Sequence, residues 1–307
     1  MEYRIEKLSA ENIRHLIPLY KEVFHEKVSH KFLLKKYDTR SVGPEYIGFI
    51  AYSHNDIAVA FYGVIPCFFQ LNGKKVVAAQ SADTMTHPDH RKKGLFQNLA
   101  LKTYALAAEQ GIKFVFGFPN QDSFPGFMKL NWQFLPDQLQ VFTIKAASFN
   151  YSRLLYRIPG LFSLYNILLN GLLGVAHPDN SFFKENISDG IIHDDTFCLY
   201  KKYHATHIIT INKVKAWIKV DGKLKVGAVQ GLNENNAAGF LNRLATCASL
   251  LGCAEVIFMT TKHSLLYEIL KKTLTPKDAF PVGFLPLHAE KASLADASFE
   301  YCDADFF

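Results

Sequence analysis

Apolar and polar positions alternate along the first half of the chain in a way that predicts strands and helices in turn. The stretches 57–71 and 74–86 fit long strands, and Asn72-Gly73 between them is typical of a type I′ hairpin turn. Helical spacing follows Gly94 and ends before Gly111. The predicted strands cover 2–8, 46–52, 57–71, 74–86, 113–118, 132–135 and 139–145, and the helices cover 10–24, 30–37, 94–110 and 122–130.

The second half of the chain repeats this order of elements. Strands are predicted at 206–212, 214–221, 224–231, 255–260 and 280–287, and helices at 234–251 and 263–272. Residues 148–194 have a less regular pattern, with one apolar helix. The expected fold class is mixed α/β (an α+β mixed sheet), with domains at 1–147 and 195–307 and a connector at 148–194.

A strongly basic turn lies between the strand 74–86 and the helix after it. The apolar run stops at Pro88, and Arg91, Lys92 and Lys93 stand directly before Gly94. Successive N–H groups at a helix start, together with fixed positive charge, form a seat for a phosphate or pyrophosphate. A bare Arg-Lys-Lys is more often a solvated turn. The strand before it and the helix after it favour a nucleotide-like cofactor held by backbone.

A second motif follows the strand 113–118. Pro119-Asn120-Gln-Asp-Ser123 is a helix-start cluster, and Phe127-Met-Lys-Leu-Asn-Trp132 comes next. The order strand, Arg-x-x-Gly-x-x, helix, strand, Asn-x-x-Ser, aromatic-x-Lys-Leu-x-aromatic resembles the acetyl-CoA-binding core of the GNAT N-acetyltransferase superfamily, over roughly residues 45–145. The usual loop is Gln/Arg-x-x-Gly-x-Gly/Ala, and this chain departs from it with Phe96 at the last small position.

The resemblance implies a GNAT fold and transfer of an acetyl group from acetyl-CoA to an amine. It implies that the loop amides hold the pyrophosphate, and that the strand before the loop pairs with the pantetheine arm and polarises the thioester carbonyl. Asn120 and Ser123 would face the pantetheine and the sulfur; a simple helix cap is the alternative for both. The expected cofactor-binding residues are Thr84, Met85, Thr86, Arg91, Lys92, Lys93, Gly94, Leu95, Phe96, Asn120 and Ser123.

The amine acceptor must lose a proton, and the leaving thiolate must be stabilised. Asp83 is the nearest acid to the bend and is the first candidate base, directly or through water; an exposed strand carboxylate is the alternative. His87 and His90 have a suitable unperturbed pKa, which the neighbouring cations should lower. Many GNAT enzymes have a Tyr acid where this chain has Phe127. Ser123, water or another Tyr such as Tyr62 could replace it, or the thiolate leaves unaided.

The chain ends in an acidic and aromatic segment. In tandem-GNAT enzymes of the Eis-like kind, the terminal carboxylate enters the first active site. The resemblance therefore implies a catalytic role for Phe307 through its carboxylate, or for Asp303 or Asp305. The alternative is an aromatic tail packed on the second domain. The second-domain position that matches the basic loop is Gly231-Leu-Asn-Glu-Asn-Asn236, which has no cationic run and predicts a degenerate GNAT-like domain without a cofactor site.

Composition narrows the possible partners. The net charge of +6 is spread along 307 residues, which fits an anionic cofactor better than a nucleic acid. Five scattered cysteines without ligand spacing predict free thiols and no metal. The charged N-terminus does not resemble a signal peptide, and the apolar stretch 160–176 is short and interrupted, which favours a buried or interfacial helix over membrane insertion. We expect a cytoplasmic protein, with oligomerisation left open.

The function expected from these residues is an acetyl-CoA-dependent N-acetyltransferase. The acceptor would be a primary amine of a small molecule or amino sugar, or a peptide amine, attacked directly in a ternary complex. A non-catalytic acyl-CoA-binding or sensor protein is the alternative, because Phe127 cannot donate a proton. Turnover with a panel of amines separates the two.

Overall fold

Two mixed β-sheets organise the chain. The structure is a computed structural model that describes residues 2–147, 149–173, 189–288 and 293–307. The chain divides into unit 1, Met1–Leu135 with Pro281–Ala295, and unit 2, Pro136–Phe280 with Asp296–Phe307. The part of the predicted connector at 174–188 lies outside the described residues.

Unit 1 is built around a sheet in the order β1-β2-β3-β4-β5-β14-β6. Neighbouring strands are antiparallel, except that β4 and β5 are parallel. Its elements are β1 (Arg4–Lys7), α1 (Leu16–Phe24), α2 (His30–Tyr37), β2 (Gly48–Tyr52), β3 (Ala58–Leu71), β4 (Lys74–Thr86), α3 (Leu95–Glu109), β5 (Phe114–Gly117), α4 (Phe124–Lys129), β6 (Gln133–Phe134) and β14 (Gly283–Pro286).

The predicted hairpin between β3 and β4 is confirmed. Both Asn72 and Gly73 have positive φ, at 49° and 73°, as a type I′ turn requires. The core of this unit forms where α3 packs on β2 and β3, and it includes Tyr62, Leu99 and Val115, all fully buried. This packing fixes the start of α3 beside the end of β4.

Unit 2 contains a second sheet in the order β13-β7-β12-β11-β10-β9, in which β11 and β12 are parallel. Its core includes Phe142, Phe240 and Phe258, all fully buried. Its elements are β7 (Gln140–Lys145), α5 (Tyr151–Tyr156), α6 (Pro159–Leu173), β8 (Gly190–Ile191), α7 (Asp195–Tyr200), β9 (Thr206–Ile211), β10 (Val214–Val220), β11 (Leu224–Gln230), α8 (Glu234–Leu250), β12 (Glu255–Thr260), α9 (Leu265–Leu270) and β13 (Lys277–Asp278).

Two of the predicted strands each lie in a different sheet from the expected one. The strand 139–145 was expected to complete the first α/β unit, but β7 pairs with β12 from Glu255↔Lys145 to Thr260↔Gln140. The strand 280–287 was expected in the second unit, but β14 pairs with β5. The physical reason is that strand pairing buries side chains that lie far apart in sequence, and the strand pattern does not encode the partner.

Candidate functional site

A β-bulge interrupts β4 four residues before the basic turn. In the register with β3, Phe61 pairs with Met85 and Gly63 pairs with Ala82, so Asp83 and Thr84 together oppose Tyr62. Asp83 has a φ of 50°, which is uncommon for a residue other than Gly. A bulge of this kind bends a strand and turns its backbone groups away from the regular ladder, and such bulges are frequent beside active sites.

The Asp83 carboxylate is buried at this bulge and has two donors. Lys36 Nζ lies 2.7 Å from Oδ1, and Tyr37 Oη donates to Oδ2 at 2.8 Å. Both charged side chains are less than 10% exposed. The exposed-strand alternative for Asp83 is therefore wrong. The ion pair and the hydroxyl fix the carboxylate, and its role as a base remains a prediction.

Strands β4 and β5 diverge after Gln80, before the bulge is reached. Their parallel pairing consists of Ala79↔Val115 and Gln80↔Phe116, whereas β4 continues to Thr86. Within the described residues, no further pair joins these two strands. The β5-facing edge of β4 from residue 81 to 86 therefore lies at a split in the sheet, where an extended ligand can pair with backbone.

The basic turn follows β4 directly. Its geometry is fixed by a short 3₁₀ turn at Pro88–His90 and by positive φ at Lys92 (60°) and Gly94 (74°). Arg91 Nε donates to the Thr86 carbonyl at 3.3 Å, and Lys93 Nζ donates to the Asp89 carbonyl at 2.9 Å. These bonds bring the exposed cations back over the turn.

His90, in the short turn after β4, has a lowered pKa. Burial lowers the pKa of His90, and the charges of Lys93 and His87 lower it further. The predicted lowering is confirmed for His90, although burial is the larger cause. Its Nδ1 lies 3.0 Å from Tyr3 Oη, so the ring packs against the N-terminal strand.

Helix α3 begins on Gly94 without a side-chain cap. Gly94 occupies the N-cap position, and no described side chain accepts a hydrogen bond from the first turn. A Cβ at Gly94 would have no described atom within 4 Å, so glycine is needed there for its φ and the space above it is open. The amides of Leu95 and Phe96 follow in the first turn. An uncapped helix start leaves amide donors available to an anion. Anion binding at this position remains a prediction.

Helix α8 of unit 2 follows the segment Gly231–Asn236 that was aligned with the basic loop in the sequence. Side chains cap the N-terminus of this helix. Asn233 caps α8, and its side chain accepts hydrogen bonds from the amides of Asn235 and Asn236. The Asn236 side chain in turn accepts from the Asn233 amide at 2.8 Å. This reciprocal capping uses the donors that an anion would need.

Asn120 and Ser123 form one turn before α4. Asn120 Oδ1 accepts from the Ser123 amide and from Ser123 Oγ, each at 3.0 Å, and Ser123 Oγ accepts from the Asn120 amide at 3.1 Å. These bonds hold the turn before α4 together, and Ser123, at the N-cap position, makes no side-chain capping bond to the helix. The contact of Asn120 and Ser123 with a cofactor remains a prediction.

Phe127 lies in a buried aromatic cluster. Its ring centroid is 4.3 Å from that of Trp132 and 5.4 Å from that of Phe96, and Tyr62 lies at 6.4 Å. Phe96 stands where the usual loop has a small residue, and its ring packs in this cluster. A Cβ on Gly126 would lie 2.6 Å from the ring of Phe96.

A hydrogen-bond chain runs through the same cluster and ends at the split between the strands. Trp132 Nε1 donates to Tyr104 Oη at 3.0 Å, and the two hydroxyls of Tyr104 and Tyr62 lie 2.8 Å apart. Ser81 Oγ bonds to Tyr62 Oη at 2.9 Å. Burial raises the pKa of Tyr62 and of Tyr104, so both hydroxyls keep their protons at neutral pH.

Ser81 lies where the split between β4 and β5 begins. It is the first residue of β4 beyond the last pair with β5, and its Cβ would lie 3.3 Å from a Cβ on Gly117, the last residue of β5. Sequence reasoning missed Ser81 and the pair Lys36–Tyr37. Their types are ordinary in a strand and a helix, and only the hairpin register and the position of α2 bring them to the bulge.

Phe307 lies within unit 2 and is fully buried. Its ring centroid lies 5.8 Å from Trp217 and 5.7 Å from Tyr301, and a Cβ on Gly227 would lie 2.3 Å from its ring. The C-terminal segment therefore packs within unit 2, in agreement with the alternative of a packed aromatic tail. A catalytic role of its carboxylate is untested by this packing.

Three potential metal ligands meet near the tail, although their spacing in sequence gave no sign of it. His193, Cys302 and Asp303 are buried, and their donor atoms lie within 4.8 Å of one another. His193 Nε2 is already bonded to Asp303 Oδ1 at 2.5 Å, and Asp303 Oδ2 accepts from the Glu300 amide. These bonds give the group a structural role in holding the tail.

Comparison with known proteins identifies the domain family that the first part of the chain matches. Residues 4–134 match the profile of the acetyltransferase (GNAT) domain family. The chain contains a GNAT acetyltransferase domain. The profile match ends close to Leu135, where the first segment of unit 1 ends. The match supports an acyltransferase. No curated protein matches the chain at a significant level.

Solved structures show the same GNAT fold over most of the chain. A GCN5-related N-acetyltransferase from Kribbella flavida is 11% identical, with a TM-score of 0.59, and the match covers 92% of this chain and 70% of that one. A GCN5-related N-acetyltransferase from Anabaena variabilis is 14% identical, with a TM-score of 0.57, and the match covers 94% of this chain and 73% of that one. The predicted GNAT fold is confirmed.

Proposed function

We propose that the protein transfers the acetyl group of acetyl-CoA to a primary amine of a small molecule or amino sugar, by direct attack in a ternary complex. The observation that carries this proposal is the start of α3. Its amides have no side-chain cap, Gly94 leaves open space above them, and the exposed cations Arg91, Lys92 and Lys93 stand beside them. That combination suits the pyrophosphate of CoA.

The position of the reactive end follows from the position of the pyrophosphate. With the pyrophosphate at the turn, the pantetheine arm would run back along β4 past Thr86 and Thr84, in place of the strand that β5 does not supply. The thioester would then lie beside the bulge at Asp83. Backbone N–H groups that the bulge turns out of the ladder would stabilise the carbonyl oxygen.

Ser81 would support the departure of CoA. The amine nitrogen forms the new C–N bond, and the C–S bond breaks with its electron pair on sulfur. The Ser81 hydroxyl would turn from Tyr62 to the developing thiolate, while the hydrogen on Tyr62 Oη turns to Ser81 Oγ. The surplus proton of the amine would leave to water or to a base. A CoA thiolate stabilised in this way does not need a Tyr acid at position 127, where this chain has Phe.

The first test is calorimetric titration with acetyl-CoA. We expect micromolar-scale binding by the wild type and its loss in Arg91→Glu/Gly94→Trp. The matched control is Lys102→Glu/Gly111→Trp, which makes the same changes further along α3 and at its other end, where Gly111 also has positive φ and open space. Binding should survive in the control. Absence of binding by the wild type would mean that the loop is vestigial and would end the enzyme proposal.

A non-catalytic acyl-CoA sensor is the second candidate function. It is favoured by Phe127, which is buried among aromatic rings and has no hydroxyl to donate a proton where many GNAT enzymes have a Tyr. Release of free thiol from acetyl-CoA with a panel of amines separates the two functions. A protein that binds acetyl-CoA and shows no amine-dependent thiol release is a sensor.

We propose that unit 2 is a degenerate GNAT-like domain. It repeats the order of three antiparallel strands, helix, parallel strand and helix, from β9 to α9. Its helix start is closed by Asn233 and Asn236, which leaves no seat for an anion. The calorimetric stoichiometry should therefore be one acetyl-CoA per chain, and a stoichiometry of two would contradict the proposal.

A further inference from the structure

An exposed apolar surface lies on α5 and α6, away from the proposed acetyl-transfer site in sequence. Nine of the sixteen large apolar side chains that are exposed in the described part of the chain fall between residues 149 and 168. We call the aliphatic members of this surface the apolar ridge, which consists of Leu154, Ile158, Leu161, Leu164, Ile167 and Leu168. Such a concentration is unusual for a surface that meets only water.

Helix α6 is apolar on two faces. Tyr165 and Leu169 are buried in the core of unit 2, and Tyr165 Oη donates to the Leu251 carbonyl at 2.6 Å. The ridge residues of α6 lie beside this buried face, at positions i, i+3, i+6 and i+7, and each is between 45% and 65% exposed. A helix that packs one face on a core normally presents polar residues on the other. This ridge therefore fits an apolar partner.

The charge around the ridge points to the chemistry of that partner. From residue 138 to residue 178 the chain has no acidic residue, whereas Arg153 and Arg157 are exposed on and just after α5, where the ridge begins. Tyr151 and Tyr156, also exposed, lie beside them. Aliphatic side chains flanked by arginine and tyrosine are typical of helices that lie in the interface of a bilayer with anionic lipids.

A spanning helix and a second copy of the chain fit less well. No helix among the described residues is long and apolar enough to cross a membrane, and the 15 residues of α6 extend only about 22 Å. A two-fold contact through the ridge would bring the Arg153 and Arg157 pairs of both copies to the same interface, with no acidic partner on either helix.

We propose that the apolar ridge docks the protein on the surface of an anionic lipid bilayer. Helices α5 and α6 would lie in the plane of the interface, with the ridge among the acyl chains and the two arginines at the phosphates. This inference does not depend on the acetyl-transfer proposal, because it is tested by binding alone.

Flotation with vesicles tests the proposal on the full chain. We expect the wild type to float with phosphatidylcholine–phosphatidylglycerol vesicles and at least about tenfold less with pure phosphatidylcholine. Leu164→Gln/Ile167→Gln/Leu168→Gln should lower binding to the anionic vesicles by about tenfold or more. The matched control Leu101→Gln/Leu265→Gln changes equally exposed leucines elsewhere and should bind as the wild type does. Circular dichroism checks that each variant is folded.

A tryptophan reporter locates the contact. Both native tryptophans are buried, so the emission of Leu164→Trp reports the ridge. It should shift to the blue with anionic vesicles and be quenched by brominated lipid, whereas Leu101→Trp should not change. The proposal is overturned if the wild type does not float, or if the control variant loses binding as the ridge variant does. It is also overturned if sedimentation shows a lipid-free dimer that the ridge variant abolishes while wild type and ridge variant float alike.

Discussion

Single residues around the β4 bulge determine whether the proposed site can release CoA without a tyrosine acid. If Ser81 stabilises the thiolate, Ser81→Ala should lower kcat about tenfold or more and leave the KM for acetyl-CoA unchanged, because the lost bond forms only as the C–S bond breaks. Steady-state thiol release measures both constants. Ser81→Thr should restore most of the rate, and Ser123→Ala tests the other serine that could act as the acid. An unchanged kcat in Ser81→Ala would remove this residue from the mechanism.

The Asp83 carboxylate offers a second test at this scale. Asp83→Asn leaves the buried Lys36 ammonium without its anion, which should cost about 3–5 kcal/mol of stability. Asp83→Asn/Lys36→Met removes both charges and should recover most of the lost Tm. Since both carboxylate oxygens already accept hydrogen bonds, we expect kcat to recover with Tm in the double variant. A stable double variant that stays inactive would show that Asp83 is the base.

At the scale of elements, the two ends of α3 can be compared to test whether its start binds a ligand. Gly94 and Gly111 flank the helix, and both have positive φ with no described atom within 4 Å of an added Cβ. Alanine at either position should therefore cost about 1–2 kcal/mol in backbone strain. Only Gly94→Ala should also weaken acetyl-CoA binding in calorimetry. Equal effects of the two substitutions on Kd would mean that the α3 start does not hold the cofactor.

The same element scale shows what the sequence could and could not predict. The bounds of β4, from Lys74 to Thr86, were predicted without error, because a hairpin turn and a proline mark its ends. Partners of the short strands β7 and β14 were not predicted, because pairing depends on contacts that local pattern does not contain. The buried Lys36 also escaped prediction, since a lysine in an amphipathic helix is normally exposed.

At the scale of the whole molecule, the chain leaves unit 1 after Leu135, returns to it at Pro281 and ends in unit 2. Residues Asp296–Phe307 belong to unit 2. Phe307 fills space that Gly227 leaves open on β11, and a Cβ there would lie 2.3 Å from its ring. This contact makes the structural and catalytic roles of the tail distinguishable by a double-mutant cycle.

Phe307→Ala should lower the stability of unit 2 by about 3–5 kcal/mol, because it leaves a cavity beside Trp217. Gly227→Ala should be strongly destabilising in the wild type and much less so when Phe307 is absent, since the clash then disappears. Thermal unfolding of the four proteins gives the coupling. Below the transition, we expect Phe307→Ala to keep acetyl-CoA binding and kcat within about twofold of the wild type, since its contacts are structural. Phe307→Ala keeps the α-carboxylate of residue 307, so deletion of residues 305–307 tests the predicted carboxylate role. A collapse of kcat in that deletion with acetyl-CoA binding retained would assign the tail to catalysis.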